Sequence, residues 1–484
     1  MAGTGTITST GIGSNLPVET IVTKLVALEK HPLSQLQNKA TSIQTQLSTY
    51  GQVKSLISTL QDAASKLSLD SGWNGMTINS TNASAVTASV TGIASPASLS
   101  MEVQQLARAQ SSSSKNYAAT ASVGAGTMTI QLGTWTTDTG TQPNTQTFAA
   151  GTAAAVNITV GASETLSTVA AKINNANAGV TATVITDASG QRLMMHSKAT
   201  GEASGFRVQV AEDSAHPGLS SLAFDPQTNP TGGMAANTFQ LARNTKATLN
   251  GVALTSTDNT FANVVPGLKL TVGQVTTAPV DVTVSADKVA MKKNIQDFVD
   301  AYNAVNQLLA DSTKYDSQTK VAGVLQGDST TVSLMNSLRS LVTSKTSGGA
   351  YSRLLDVGIT LQRGGALSVN STKLDNALNT NLGDMKKLFA ANNNDAGSNG
   401  IARKLKDHTL NLLSFSGALN SKTNSLQADV KSNSKEQDKV NDRALTTEAR
   451  LRAQYTALDT KMAGLSSLTA YVNQQITTWN KSKG

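Results

Sequence analysis

The chain has 484 residues, of which only 4% are aromatic and 14% charged, with a formal net charge of +8 and a pI near 9.4. Its length exceeds what one hydrophobic core usually serves, so several domains are expected. The absence of cysteine excludes disulfides, thiolate metal sites and a cysteine nucleophile.

The basic excess does not form a nucleic-acid patch. Residues 76–285 hold nine basic and ten acidic side chains, and the thirteen basic residues from 401 onward are dispersed among seven acids, as in Lys435-Glu436-Gln437-Asp438-Lys439.

Residues 1–16 are rich in Gly, Thr and Ser and lack both the basic start and the apolar run of a secretory signal, so they are expected to be disordered in the unassembled protein. No apolar run reaches membrane-spanning length. This suits a cytoplasmic protein or one exported without a cleaved signal. A first helix follows, with capping oxygens from Ser14 and Asn15, Pro17 at its start, Glu19 in its first turn, and Val18, Ile21, Val22, Leu25 and Leu28 on one face. His31-Pro32 interrupts it, because proline has no amide hydrogen to give. A long seam then repeats by threes and fours through Leu36, Ala40, Ile43, Leu47, Tyr50, Val53, Ile57, Leu60, Ala64 and Leu67, and stops at Ser71-Gly72.

From about Met76 the period changes to two, as in Ala85–Val90 and Ser98–Val103, and again around residues 128–132, 156–160 and 180–184, which indicates half-buried strands. Asn250-Gly251 between two alternating runs signals a tight hairpin. Two mainly β lobes fit this length, with a helix from Leu166 to Asn177 packed on the outer one. Helical periodicity returns at Ile295, Phe298, Tyr302, Val305 and Leu309, then at Leu334, Leu338 and Leu341. A short hairpin around Gly364-Gly365 leads to Leu374, Leu378, Leu382, Met385 and Phe389 in one helical register, and the chain is expected to be almost wholly helical from Ile401.

The final stretch carries a second seam: Leu451, Tyr455, Leu458, Met462, Leu465, Thr469, Val472, Ile476 and Trp479. At about 1.5 Å per residue this stripe runs for roughly 42 Å, the mark of a coiled coil. Upstream the same seam reads Leu426, Val430, Asn433, Gln437, Val440, Ala444 and Thr447, so polar residues share its core, where they can specify register or partner number. Each seam could close on the other as an intramolecular hairpin or meet copies or another protein.

No chemistry-bearing constellation accompanies these elements. His31, His196, His216 and His408 are far apart and have no metal-ligand spacing, and Gly11-x-Gly13 follows no strand. No catalytic residue, cofactor or metal is expected, and an enzyme reading has no candidate pocket.

Several stretches resemble the bacterial flagellar filament cap proteins, the hook-associated protein 2 family. They are LPVETIVTKLVALEKHPLSQLQNKATSIQTQLSTYGQVKSLISTLQDA within Gly11–Leu69, SPASLSMEVQQLARAQ at Ser95–Gln110, MKKNIQDFVDAYNAVNQLL, LLDVGITLQRGGALSV and the final YTALDTKMAGLSSLTAYVNQQI. TLSTVAAKINNANAGVTATV at Thr165–Val184 is similar to a motif of flagellin-type axial proteins. The resemblance implies an α+β multidomain chain in which N- and C-terminal helices form a coiled-coil stalk and two mainly β head domains are inserted between them. The expected division is 1–35 an N-terminal segment with a short helix, 36–75 a stalk helix, 76–110 and 241–285 an inner head, 111–240 an outer head, 286–440 a helical leg and 441–484 the C-terminal coiled coil.

The resemblance further implies export through the flagellar type III channel and residence at the distal filament tip. There a homo-oligomeric ring, taken as a pentamer, would retain exported flagellin and promote its folding and polymerisation. Implied partners are flagellin, hook-filament junction proteins and an export chaperone, with neither nucleic acid nor membrane. Host mucus or another surface would be a further ligand of the outer head. The C-terminal seam from Leu451 to Trp479 would be the docking surface for filament or chaperone. The rival readings are a coiled-coil surface adhesin and another axial protein, either a junction protein or one like flagellin.

Overall fold

The computed structural model describes residues 17–140 and 145–481. The expected disorder of 1–16 and the capping by Ser14 and Asn15 fall outside the described residues. The chain divides into two compact units, one built from both ends, up to Trp73 and from Lys288 onward, the other from Asn74–Asp287. Helix therefore predominates in the first unit and strand in the second, as in an α+β multidomain chain.

The end-built unit starts with α1 (Val18–Glu29), which buries Val18, Val22 and Val26. A single residue, Lys30, separates it from α2 (His31–Ser68), whose first turn contains Pro32. Proline costs nothing there because first-turn amides have no intrahelical acceptor. After α2 a short 3-10 turn, Asp70–Gly72, delivers Trp73, whose indole donates to Leu67 O at 2.9 Å.

The inserted unit holds two hydrophobic cores. One lies between a five-stranded antiparallel sheet in the order Met76–Ser80, Val280–Ala286, Ala97–Gln105, Thr245–Leu249, Val252–Ser256 and a three-stranded sheet, Thr260–Ala262, Leu268–Val272, Val86–Val90. Asn250 (φ 47°) and Gly251 (φ 82°) form the expected hairpin turn between Leu249 and Val252. The other core gathers Met128, Ile130, Val169, Ile173, Val208 and Phe224 under two four-stranded sheets, and α3 (Leu166–Asn175) covers part of it. Strands Gly190–Ser197 and Gly205–Glu212 belong here and escaped the sequence reading.

The chain returns through α4 (Lys288–Thr313), which buries Ile295, Phe298, Tyr302, Val305 and Leu309 along one face. A small hairpin, Tyr315–Asp316 with Val321–Ala322, was not foreseen. Asp328 then caps α5 (Ser329–Thr343), and the expected hairpin pairs Ile359–Leu361 with Leu367–Val369.

One expected helix is divided, and the stretch from Ile401, almost wholly helical as expected, has one short interruption. The stripe from Leu374 to Phe389 is split into α6 (Ser371–Thr380) and α7 (Leu382–Ala390). Asn381, at φ −150°, leaves the helical region and accepts from Asp384 N as the cap of α7. Helix α8 (Ile401–Leu413) ends four residues before α9 (Ala418–Lys481), at a loop closed by Gly417. A Cβ at Gly417 would lie 2.4 Å from the carbonyl oxygens of Asn411 and Leu412. Helix α9 then runs for 64 residues with no break near the expected division at 440.

Candidate assembly surfaces

The two seams have the same repeat and different surroundings. In α2, Ile43, Tyr50, Val53, Ile57, Leu60, Ala64 and Leu67 are buried, while Leu36, Ala40 and Leu47 are half-buried. Helices α4, α8 and α9 supply the contacts, so this seam closes within its own chain. Trp73, Phe389 and Phe298 continue its lower end, with ring centroids 5.6 Å and 6.2 Å apart in sequence of contact.

Polar ties register α2 against its neighbours. Tyr50 donates its hydroxyl to Asp328 Oδ1 at 2.5 Å and lies 3.0 Å from Thr331 Oγ1, while Lys422 Nζ sits 2.6 Å from Asp328 Oδ2. Burial pushes the Asp328 carboxyl up. Lys422, Tyr50 and the amide and hydroxyl of Thr331 outweigh it and hold the group at about 2. One carboxylate thereby joins α2, α5 and α9. Lys54 Nζ adds a second tie, donating to Asn420 Oδ1 at 2.6 Å and Thr423 Oγ1 at 2.8 Å. Neither tie has a signal in sequence, because Tyr50 and Asp328 stand 278 positions apart and Lys54 and Asn420 stand 366 apart.

Along α9 the surroundings change in steps. Leu419, Leu426, Val440 and Ala444 are buried, and so is Asn433, at 5% exposure. Gln437 donates to Asn433 Oδ1 at 2.6 Å, but Asn433 Nδ2 has no partner among the described residues. Next, Leu451 and Tyr455 are half-buried against Val18, Val22 and Val26 of α1. Arg452 pairs with Glu19 and with Glu448, and Arg443 with Glu29. The Arg452 hydrogen bond lowers the Glu19 carboxyl below its ordinary range. Pairs this exposed orient α1 along α9 more than they stabilise it.

Beyond Tyr455 the seam is exposed among the described residues. Leu458, Met462, Leu465, Val472, Ile476 and Trp479 are all exposed, Leu465 at 57% and Trp479 at 67%, and exposed Leu468 widens the stripe. An apolar stripe of this length on a helix with no covering face is stable only when something packs on it. Sequence reading had grouped Leu451 and Tyr455 with these residues. In the structure that pair also packs, half-buried, against α1.

Among the described residues no group of three or more His, Asp or Glu side chains could hold a metal ion. His408 is half-buried, its Nε2 lies 2.9 Å from Ser337 Oγ, and burial pushes it down. His216 contacts Asp213 at 3.3 Å. Among the described residues no helix is long and apolar enough to cross a membrane.

Comparison with known proteins places this geometry. Residues 14–110 match the model of the flagellar hook-associated protein 2 N-terminus and 242–467 that of its C-terminus, while 139–199 match the flagellin hook IN motif. The B-type flagellar hook-associated protein 2 of Pseudomonas aeruginosa is 30% identical over 466 residues, 93% of each chain. Flagellar hook-associated protein 2 of Escherichia coli is 28% identical over 491 residues, 99% of each chain. The D1-D2-D3 domains of the flagellar cap protein FliD from Escherichia coli superpose with a TM-score of 0.57 at 26% identity, covering 78% of this chain and 99% of that one. The chain belongs to the flagellar hook-associated protein 2 family, a structural family and not one of enzymes.

Proposed function

We propose, with that family membership as premise, that this chain caps the distal end of a bacterial flagellar filament. In that place it retains exported flagellin and promotes its folding and polymerisation. The observation that carries the reading is the apolar stripe from Leu458 to Ile476, which is exposed among the described residues. Copies of the chain form a ring, taken as five. Steric retention and cooperative packing do the work, and no bond is made or broken.

The uncovered stripe serves two partners in turn. A cytoplasmic export chaperone covers it before passage through the type III channel, and filament or junction subunits cover it afterwards. A two-helix contact held by burial alone suits such exchange, because apolar burial is non-directional. Adhesion of the outer lobe to a host surface would be secondary.

The deciding experiment measures flagellin attached to filaments and flagellin free in the medium, in a strain lacking this chain and after its restoration. Monomer spilling into the medium and returning to filaments on restoration supports capping. Normal filaments without the chain overturn it and favour the adhesin. Truncation before Leu451 should leave the β lobes folded and abolish filament growth.

A further inference from the structure

The five-stranded sheet of the inserted unit ends on strand Val252–Ser256, which pairs with Thr245–Leu249 and, among the described residues, with no strand on its other side. The two-residue turn Asn250-Gly251 sets which of its backbone groups are spent. In such a hairpin Leu249 and Val252 exchange both hydrogen bonds, and the exchange recurs at every second pair, so the main-chain groups of Val252, Leu254 and Ser256 face the partner strand. Asn250 fixes the same parity from beyond that strand, since its amide donates to Ser100 O at 2.8 Å. The N–H and C=O of Ala253 and Thr255 therefore point away from the sheet. They have no hydrogen-bond partner among the described residues, and both residues are exposed. One step on, Thr257 O accepts from the Thr200 hydroxyl at 2.8 Å, which marks where the open stretch stops.

Other edges of the same unit are closed by side-chain amides. Asn174 of α3 donates to Ala182 O and accepts from Ala182 N, both at 2.8 Å, and so stands in for a strand beside Val180–Asp187. Gln227 Oε1 accepts from Phe148 N at 2.9 Å on the edge strand Thr145–Ala150. Strand Val252–Ser256 has no such guard at Ala253 and Thr255. It also lacks the Lys, Asp, Glu or Pro with which an edge ordinarily refuses a further strand, and its Val252 side chain is 64% exposed.

We infer that the edge at Ala253 and Thr255 takes an extended, uncharged polypeptide segment as a further β-strand. Free donors and acceptors on every second residue match the main chain of an extended segment, and pairing of this kind reads backbone rather than a particular sequence. A strand without charge favours a neutral partner. The inference rests on the proposed capping role, in which exported flagellin reaches the cap before it has folded; the partner is then an unfolded segment of that flagellin, held extended at the sheet edge.

The test is amide hydrogen exchange of the full-length chain with a blocked peptide of alternating Thr and Val, about seven residues long. Peptide at about ten times its dissociation constant should slow exchange at Ala253 and Thr255 roughly tenfold and saturably, and leave strand Gly126–Asp138 unchanged. The same peptide N-methylated at every residue keeps the side chains, lacks the donors and should have no effect. Thr255→Pro removes an outward N–H without removing a hydrogen bond to Thr245–Leu249, and should abolish the response. If that variant loses the hairpin, Ala253→Lys, which alters an exposed side chain, should weaken the response several-fold instead. An equal effect of the methylated peptide would mean apolar adsorption, and slowing that rises with protein concentration in the absence of peptide would mean that a second copy occupies the edge. Either result, or the absence of a saturable response, overturns the inference. Flagellin partition separates it from the capping role: a strain carrying Thr255→Pro should restore attached filament several-fold less than the unaltered chain, whereas full restoration overturns strand addition and leaves capping intact.

Discussion

Helices α2 and α9 carry the same three-and-four apolar repeat, yet from Ile43 to Leu67 one is sealed inside its own unit while from Leu458 to Trp479 the other faces solvent. The difference lies in what the chain brings alongside. Three helices flank α2, whereas α1, of only 12 residues, reaches α9 no farther than Tyr455. A heptad repeat states that a face must be buried and leaves the source of the cover open. Polar ties follow the same division: the Asp328 and Lys54 networks surround the sealed seam, and Thr469 on the open one donates to its own helix, at Leu465 O.

The largest effect that could break this contrast comes from placing one charge in each seam. Ile57→Asp should destabilise the end-built unit by at least about 4 kcal/mol, because an unpaired carboxylate replaces a fully buried side chain. Leu465→Asp should change the stability of the isolated chain by less than about 0.5 kcal/mol and still abolish filament growth. Urea unfolding of both proteins, with filament length in complemented cells, checks the pair. A loss above about 1 kcal/mol in isolated Leu465→Asp would mean that the open seam has a partner within the chain.

A smaller effect sharpens the sealed side. The Asp328 carboxyl is held below its ordinary value, at about 2, so its contribution is complete above pH 3.8 and disappears as pH falls through about 2. Discounted for partial exposure, the contribution is on the order of 1–2 kcal/mol. Asp328→Asn should remove that amount at neutral pH and flatten the decline between pH 4 and 2, read from urea midpoints across that window. A parallel decline in both proteins would assign the acid sensitivity to other carboxylates.

The smallest effect concerns the junction between the two regimes. Asn433→Leu removes a buried amide whose Nδ2 is unpaired, so thermal unfolding should show a gain of about 0.5–1.5 kcal/mol. A loss of comparable size would show that Asn433 is satisfied in solution by water or a partner.

Much of the fold was legible from spacing. The α1 face, the α2 seam, the Asn250-Gly251 hairpin, α3 and α4 follow from periodicity and turn chemistry, because these are local properties of adjacent residues. The break at Asn381 has no signal in spacing, since the leucine repeat runs straight through it, and the place of the interruption at 414–417 depends on the close approach of Gly417 to Asn411 and Leu412. Strands Gly190–Ser197 and Gly205–Glu212 were missed because Arg192, Arg207 and their polar neighbours blur the alternation. Of the candidate docking residues, the stripe itself was readable, but the packing of Leu451 and Tyr455 against α1 was not.

By itself, then, the order of residues determined where most helices and several strands form, which face of each must leave water, and the family to which the ends belong. Only the tertiary structure decided which apolar face covers which: Ile57 and Leu60 inside the chain, Leu465 and Ile476 outside it. The reason is that apolar burial rewards area without naming a partner. Tyr50 with Asp328 and Lys54 with Asn420 name the partner, and they meet only when the chain has folded.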